Sequence, residues 1–273
     1  MKPAPFDYLA PASLGDALSA LAAAGPDARP LAGGQSLVPA MAFRLAQPSL
    51  LVDLGRIAEL RGLREAADGS VIAGAMTRHC DFEASALVRR RLPLLQAAMR
   101  QLGHLPIRSR DTIGGSLANA DPAADWPALC LACDAEIALV SSRGERRMRT
   151  AQFLRGVYET ALEPGEIVSE IRFPAWPRGR RWGLQKMARR LGDFAIVGVA
   201  CVVDADGASR IVVYGASDRA LEMRVEAGAN PEAAARAVAA AVPARSDLHA
   251  DAAYRTELVE ALTLRALQQA FGG

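Results

Sequence analysis

The chain has 273 residues, with 32 lysines and arginines against 30 aspartates and glutamates, and a formal net charge of +2. That length exceeds a typical single domain and predicts two or three. The near-balance of charge excludes a global drive towards nucleic acid or anionic membrane. No run of about 18 apolar residues occurs, and Met1-Lys2-Pro3-Ala4-Pro5-Phe6-Asp7 has no apolar signal core, so a cytoplasmic protein without an integral membrane segment is expected.

In chain order, Leu14–Ala24 reads as an amphipathic helix, capped by Ser13 and stopped by Gly25-Pro26. Pro30-Leu31-Ala32 and Leu50–Leu54 read as short strands, and Val38–Leu45 as helix or irregular structure. Leu63–Glu65 and Val71–Ala73 flank Asp68-Gly69 and predict a hairpin. Apolar residues at 3–4 spacing predict one helix over Leu92–Leu102, followed by Gly103. A helix is expected over Trp126–Cys133, then strands at Asp134–Val140 and Glu166–Phe173. The density of proline and glycine in Pro174–Gly179 marks a boundary. Beyond it, Trp182–Lys186, Ile196–Val203 and Ser209–Tyr214 predict three antiparallel strands, and Pro231–Ala241 and Asp251–Phe271 two helices. The expected units are residues 1–55, 56–175 and 176–273.

Two glycine-rich turns stand out. One is Leu31-Ala32-Gly33-Gly34-Gln35-Ser36, the other Thr112-Ile113-Gly114-Gly115-Ser116. Gly-Gly lets backbone amides converge on an anion with no Cβ in the way. The amides of Gly33, Gly34, Gly114 and Gly115, with the Ser36 and Ser116 hydroxyls, are therefore candidate donors to a pyrophosphate. Neither turn has the G-x-G-x-x-G or Gly-Lys-Ser/Thr pattern, which argues against Rossmann and Walker sites. Arg29 is a candidate long-range partner for phosphates, the Asn119 amide suits phosphate or sugar oxygens, and Leu102 and Ile107 are candidate walls for an adenine. Asp125 opens a helix, where a cap is the competing role. Cys130-Leu131-Ala132-Cys133 has CxxC spacing, but no second pair or matching histidine follows, so buried thiols are expected and no metal.

The two turns, Thr112-Ile113-Gly114-Gly115-Ser116-Leu117-Ala118-Asn119-Ala120-Asp121-Pro122-Ala123-Ala124-Asp125 above all, resemble those of the FAD-binding medium subunits of molybdenum hydroxylases. Lys186–Ala195, Phe6-Asp7-Tyr8 and Thr160-Ala161-Leu162 extend the resemblance to nearly the whole chain. It implies an α+β protein: a PCMH-type FAD-binding fold of two α/β subdomains, then a three-stranded antiparallel sheet with helices. It implies FAD as cofactor, with Asp125 on the flavin's sugar or ribityl hydroxyls. It also puts Lys186, Phe194, Val168 and Thr77 near the ring. Asp111 departs from the pattern, standing where relatives commonly carry glycine.

The implied function is an oxidoreductase subunit that relays electrons from [2Fe-2S] clusters on a small partner, reduced by a molybdopterin-binding large partner, to an external acceptor. A heterotrimer or its dimer is the expected assembly, and no residue of this chain is expected to be a catalytic acid or base. A self-contained FAD oxidoreductase of the same fold and a non-catalytic nucleotide-binding module are the alternatives.

Overall fold

Strands fall into three main sheets, and helices fill the spaces between them. A computed structural model describes residues 2–272. β1 (Asp7–Leu9), α1 (Leu14–Ala24), β2 (Ala28–Leu31), α2 (Leu37–Ala42) and β3 (Leu50–Asp53) form the first unit, a parallel sheet in the order β1-β3-β2. The Ser13 hydroxyl accepts the Asp16 amide at 3.1 Å and starts α1. Gly25, at φ +68°, ends it. Ala17, Leu18 and Leu21 then pack with Val52, Leu54 and Ile57.

The middle of the chain opens with the expected hairpin, β4 (Leu63–Glu65) and β5 (Val71–Gly74). A run of short helices follows: α3 (His79–Ala84), α4 (Ala86–Arg91), α5 (Pro93–Ala98), α6 (Leu105–Arg108), α7 (Ile113–Asn119) and α8 (Asp125–Ala132). Next come β6 (Glu136–Ser141), β7 (Gly144–Arg149), α9 (Thr150–Phe153), a small hairpin of β8 (Leu154–Gly156) and β9 (Glu159–Thr160), and β10 (Ile167–Phe173). The central sheet is antiparallel, in the order β4-β5-β10-β6-β7. A single helix over 92–102 does not form. Leu92 precedes a proline and sits at ψ +67°, out of the helical region, so Pro93 begins a separate helix that ends at Ala98.

The last unit comprises β11 (Arg181–Met187), β12 (Val197–Val203), β13 (Ser209–Tyr214), β14 (Leu221–Val225), α10 (Pro231–Ala241) and α11 (Ala252–Gly272). The sheet has four strands, not three. β14 is a half-exposed edge strand whose Leu-Glu-Met-Arg-Val pattern carries little apolar signal. Every residue of β12 is buried, because the sheet is covered on both faces. Val197, Val199, Cys201 and Val203 meet Leu258, Val259 and Leu262 of α11, whereas Ala200 and Val202 join the core around Trp126 and Leu129. One apolar core thus runs from the central sheet into the last. Among the described residues no helix is long and apolar enough to cross a membrane.

Gly183 is where α11 closes on β11: a Cβ there would lie 1.9 Å from the Ala266 carbonyl oxygen. Gly183→Val is expected to destabilise the chain by at least about 1–3 kcal/mol through this overlap. Urea unfolding checks it, and an unchanged midpoint would contradict the packing.

Candidate functional site

The two glycine turns meet. A Cβ on Gly33 would lie 2.6 Å from both the Arg110 carbonyl oxygen and the Asp111 Cα, and one on Gly115 would lie 3.2 Å from the Ala32 Cβ. Only glycine lets the backbones approach this closely. Gly34 takes φ +72°, and Gln35 Nε2 donates to the Gly33 carbonyl at 3.0 Å, which curls the first turn. Among the described residues the amides of Gly33, Gly34, Gln35 and Ser36 donate no hydrogen bond.

The second turn differs from expectation. It is the first turn of α7, with the Thr112 hydroxyl accepting the Gly115 amide at 3.2 Å as its cap. The Gly114 amide donates to Ala75 O at 2.8 Å, Ile113 to Thr77 O at 3.2 Å and Ser116 to Thr112 O at 3.0 Å. Gly114 and Gly115 therefore have no free amide for an anion. Gly114 is needed instead for space, because a Cβ would lie 2.5 Å from that of Ala75. What this segment offers to a ligand is side chains, the Ser116 hydroxyl and the Asn119 amide.

Two cavities flank the seam between the turns. The first, about 640 Å³, is lined by Arg29, Ala32–Ser36, Gly114, Gly115, Asn119 and Val168. The second, about 710 Å³, is lined by Gln35, Ser36, Leu102, Ile107, Ser116, Asp125 and Phe194. Gln35, Ser36, Asp111 and Tyr158 belong to both, so the two adjoin across the seam. The expected grouping is exchanged. Leu102 and Ile107 share a cavity with Phe194, and Val168 shares one with Arg29. The cause is tertiary: a β-bridge between Leu102 and Gly192 ties the segment before α6 to the loop that carries Phe194.

Lys186 is not at a cavity surface. Its ammonium donates to Asp125 Oδ2 at 2.9 Å and to the Gln101 carbonyl at 3.2 Å, with side chains 4% and 11% exposed for Lys186 and Asp125. Asp125 Oδ1 accepts the Tyr214 hydroxyl at 2.8 Å. The Tyr214 ring reaches it by lying over Gly198, where a Cβ would come within 2.0 Å of the ring. Asp125 is the first residue of α8 and makes no side-chain cap, so its lone pairs go to Lys186 and Tyr214. Burial pushes its carboxyl above the usual range, while Lys186 and Tyr214 pull it back. Thr77 is fully buried and donates to the Gly62 carbonyl at 3.0 Å, and neither it nor Leu31, Thr112 or Ile113 lines a cavity.

Five residues that sequence reasoning left without a binding role line the cavities. His79 and Trp126 are almost fully buried, and among the described residues neither ring nitrogen of His79 nor the Trp126 Nε1 has a hydrogen-bond partner, although both residues line the second cavity. Burial, with Arg108 nearby, lowers the His79 pKa to about 3, so the ring is neutral. The Tyr158 hydroxyl donates to Asp121 Oδ2 at 2.9 Å, and burial and that carboxylate raise its pKa to about 12. Asp121 also accepts the Ala123 amide, which orders the loop, and it faces the second cavity. Asp111 lines both cavities. No local signal in the sequence distinguishes His79, Trp126 or Tyr158 from core or surface residues.

Unspent amides in one turn, free hydroxyl and amide side chains in the other, and orphaned buried nitrogens beside the seam fit an extended ligand with a diphosphate at its middle. The family model described as the FAD binding domain in molybdopterin dehydrogenase matches residues 4–176. The chain is 39% identical to the carbon monoxide dehydrogenase medium chain of Hydrogenophaga pseudoflava, over 99% of both chains. It is 36% identical to the 6-hydroxypseudooxynicotine dehydrogenase complex subunit alpha of Paenarthrobacter nicotinovorans, over 99% of this chain and 96% of that one. It superposes with a TM-score of 0.95, at 38% identity and over 100% and 99% of the two chains, on a carbon monoxide dehydrogenase structure from Hydrogenophaga pseudoflava lacking the Mo-pyranopterin moiety of its molybdenum cofactor. Fold and site thus define an FAD-binding protein of the PCMH type. The chain belongs to the FAD-binding medium subunits of the molybdenum hydroxylase family.

Lys186→Met would leave Asp125 buried without its cation, an expected loss of about 3–5 kcal/mol. Adding Asp125→Asn should recover part of it, as measured by thermal or urea unfolding. Strictly additive losses would mean that the pair does not couple.

Proposed function

We propose that this chain is the flavin-bearing oxidoreductase subunit of a cytoplasmic molybdenum hydroxylase complex. It would receive electrons from [2Fe-2S] clusters on a small subunit, beside a molybdopterin-binding large subunit, and deliver them to an external acceptor. The single observation behind the site is the seam where Gly33 and Gly115 bring the two turns together with the first turn's amides unspent. Bound FAD supplies reversible electron uptake and release there. This chain's residues do the holding and positioning.

In this reading the Gly33–Ser36 amides hold the diphosphate. The Ser116 and Asn119 side chains complete the polar contacts. The first cavity takes the adenosine end, beside Arg29 and Val168. The second takes the ring, against Phe194, Leu102 and Ile107. Phe194 is 58% exposed and has no hydroxyl, so it contributes an aromatic face only. Lys186 acts one layer back: it neutralises Asp125 and so fixes the floor beside the ring. Residues 1–55 and 56–175 are the two halves of the cradle, and 176–273 the unit that carries Lys186 and Phe194.

Ser36→Asp tests the seam. A carboxylate among the first-turn amides should lower FAD affinity at least about tenfold by repelling the diphosphate, with little change in melting temperature. Flavin absorbance and fluorescence titration read it, and undiminished flavin retention would move the diphosphate elsewhere. Purification with iron and molybdenum is expected for the native complex. A chain isolated alone that turns over a substrate by itself would overturn the subunit assignment.

A further inference from the structure

Among the described residues Asp111 is the one carboxylate that lines both cavities, and it sits in the seam itself. The first turn packs on its backbone: a Cβ on Gly33 would lie 2.6 Å from its Cα, and one on Gly115 would lie 3.9 Å from its Oδ1. Its two oxygens are not equivalent. Oδ1 accepts the Thr112 amide at 3.0 Å. Among the described residues Oδ2 accepts no hydrogen bond: His79 Nε2 is 3.9 Å from it, too long for one.

The charged and titratable groups around it come from each packed element. His79 of α3 is buried and neutral. Arg108 of α6 is 3.6 Å from Glu83 and donates to the Met99 carbonyl, facing away. Arg110 adjoins it in sequence and makes no ion pair among the described residues. The first turn carries no charge. Across the cavities stand Arg29, which donates to the Pro26 carbonyl, and the Tyr158–Asp121 pair. Asp111 therefore has no hydrogen-bonded cation, and desolvation has raised its pKa to about 6. An ionised carboxylate at this spot would repel a diphosphate. A protonated one would have a donor to offer.

Resting on the FAD reading above, we propose that Asp111 holds the flavin diphosphate as a neutral acid, taking one proton from solvent as FAD binds. The new O–H bond forms at Oδ2, and that hydroxyl donates to a diphosphate oxygen. No group of the chain loses a proton, so the uptake appears in the medium. Affinity then falls as pH rises above about 6, by up to about tenfold per pH unit, until the acid ionises in the complex as well.

The test is calorimetric titration of FAD into flavin-depleted protein, prepared with whatever subunits accompany the full chain. It is done at a pH of about 7 in two buffers of different ionisation enthalpy, and then across pH. The expected uptake approaches about one proton per FAD. Asp111→Asn should abolish the uptake, flatten the pH profile and tighten binding at alkaline pH, whereas His79→Gln should keep the uptake. FAD binding with no proton uptake in the parent protein overturns the proposal and leaves the FAD site standing. Uptake that survives Asp111→Asn but vanishes in His79→Gln also overturns it, by moving the proton to the imidazole. Should neither the parent protein nor Asp111→Asn bind FAD at any pH, the FAD reading itself fails.

Discussion

Two backbones touch where Gly33 lies on the Arg110–Asp111 peptide and Gly115 lies on Ala32. No residue with a Cβ could make the Gly33 contact without pushing the two segments apart. This contact joins the parallel sheet of the first unit to the helices of the second. It creates the line along which the two cavities adjoin, and it brings the uncommitted amides of one turn opposite the capped helix of the other. An anion at the seam then meets donors supplied almost entirely by the first turn.

A second constraint lies behind the second cavity. Gly198 leaves room for the Tyr214 ring, Tyr214 reaches Asp125, and Asp125 takes the Lys186 ammonium. One carboxylate thereby ties α8 to two strands of the last sheet. Such a pair contributes little net stability by itself, since two charges have lost their water. Its value is geometric: it fixes the wall next to Phe194 and leaves neither charge unpaired.

The polar groups at the seam are otherwise under-satisfied. Among the described residues His79 and Trp126 have buried nitrogens without partners. Buried polar atoms of this kind are costly unless something completes them. Their concentration around one line is what a bound group would relieve, and it coincides with the place where the glycines converge.

Much of this was legible in the amino-acid order because it is local. Ser13 and Gly25 bound α1 through their own hydroxyl and dihedral, the Asp68-Gly69 turn between two apolar runs marks the β4–β5 hairpin, and the apolar run in β12 reads directly as a strand. The glycine pairs and their flanking residues likewise carry the resemblance to a flavin family in the sequence alone. The tertiary structure decided which donors remain free. The amides of Gly114 and Gly115 are spent on Ala75 and Thr112, and the lone pairs of Asp125 on Lys186 and Tyr214. It also decided that Leu102 and Ile107 share a cavity with Phe194, while Val168 lines the other. A sequence lists which groups can bond. Which of them are already bonded depends on neighbours that only folding brings within about 3 Å.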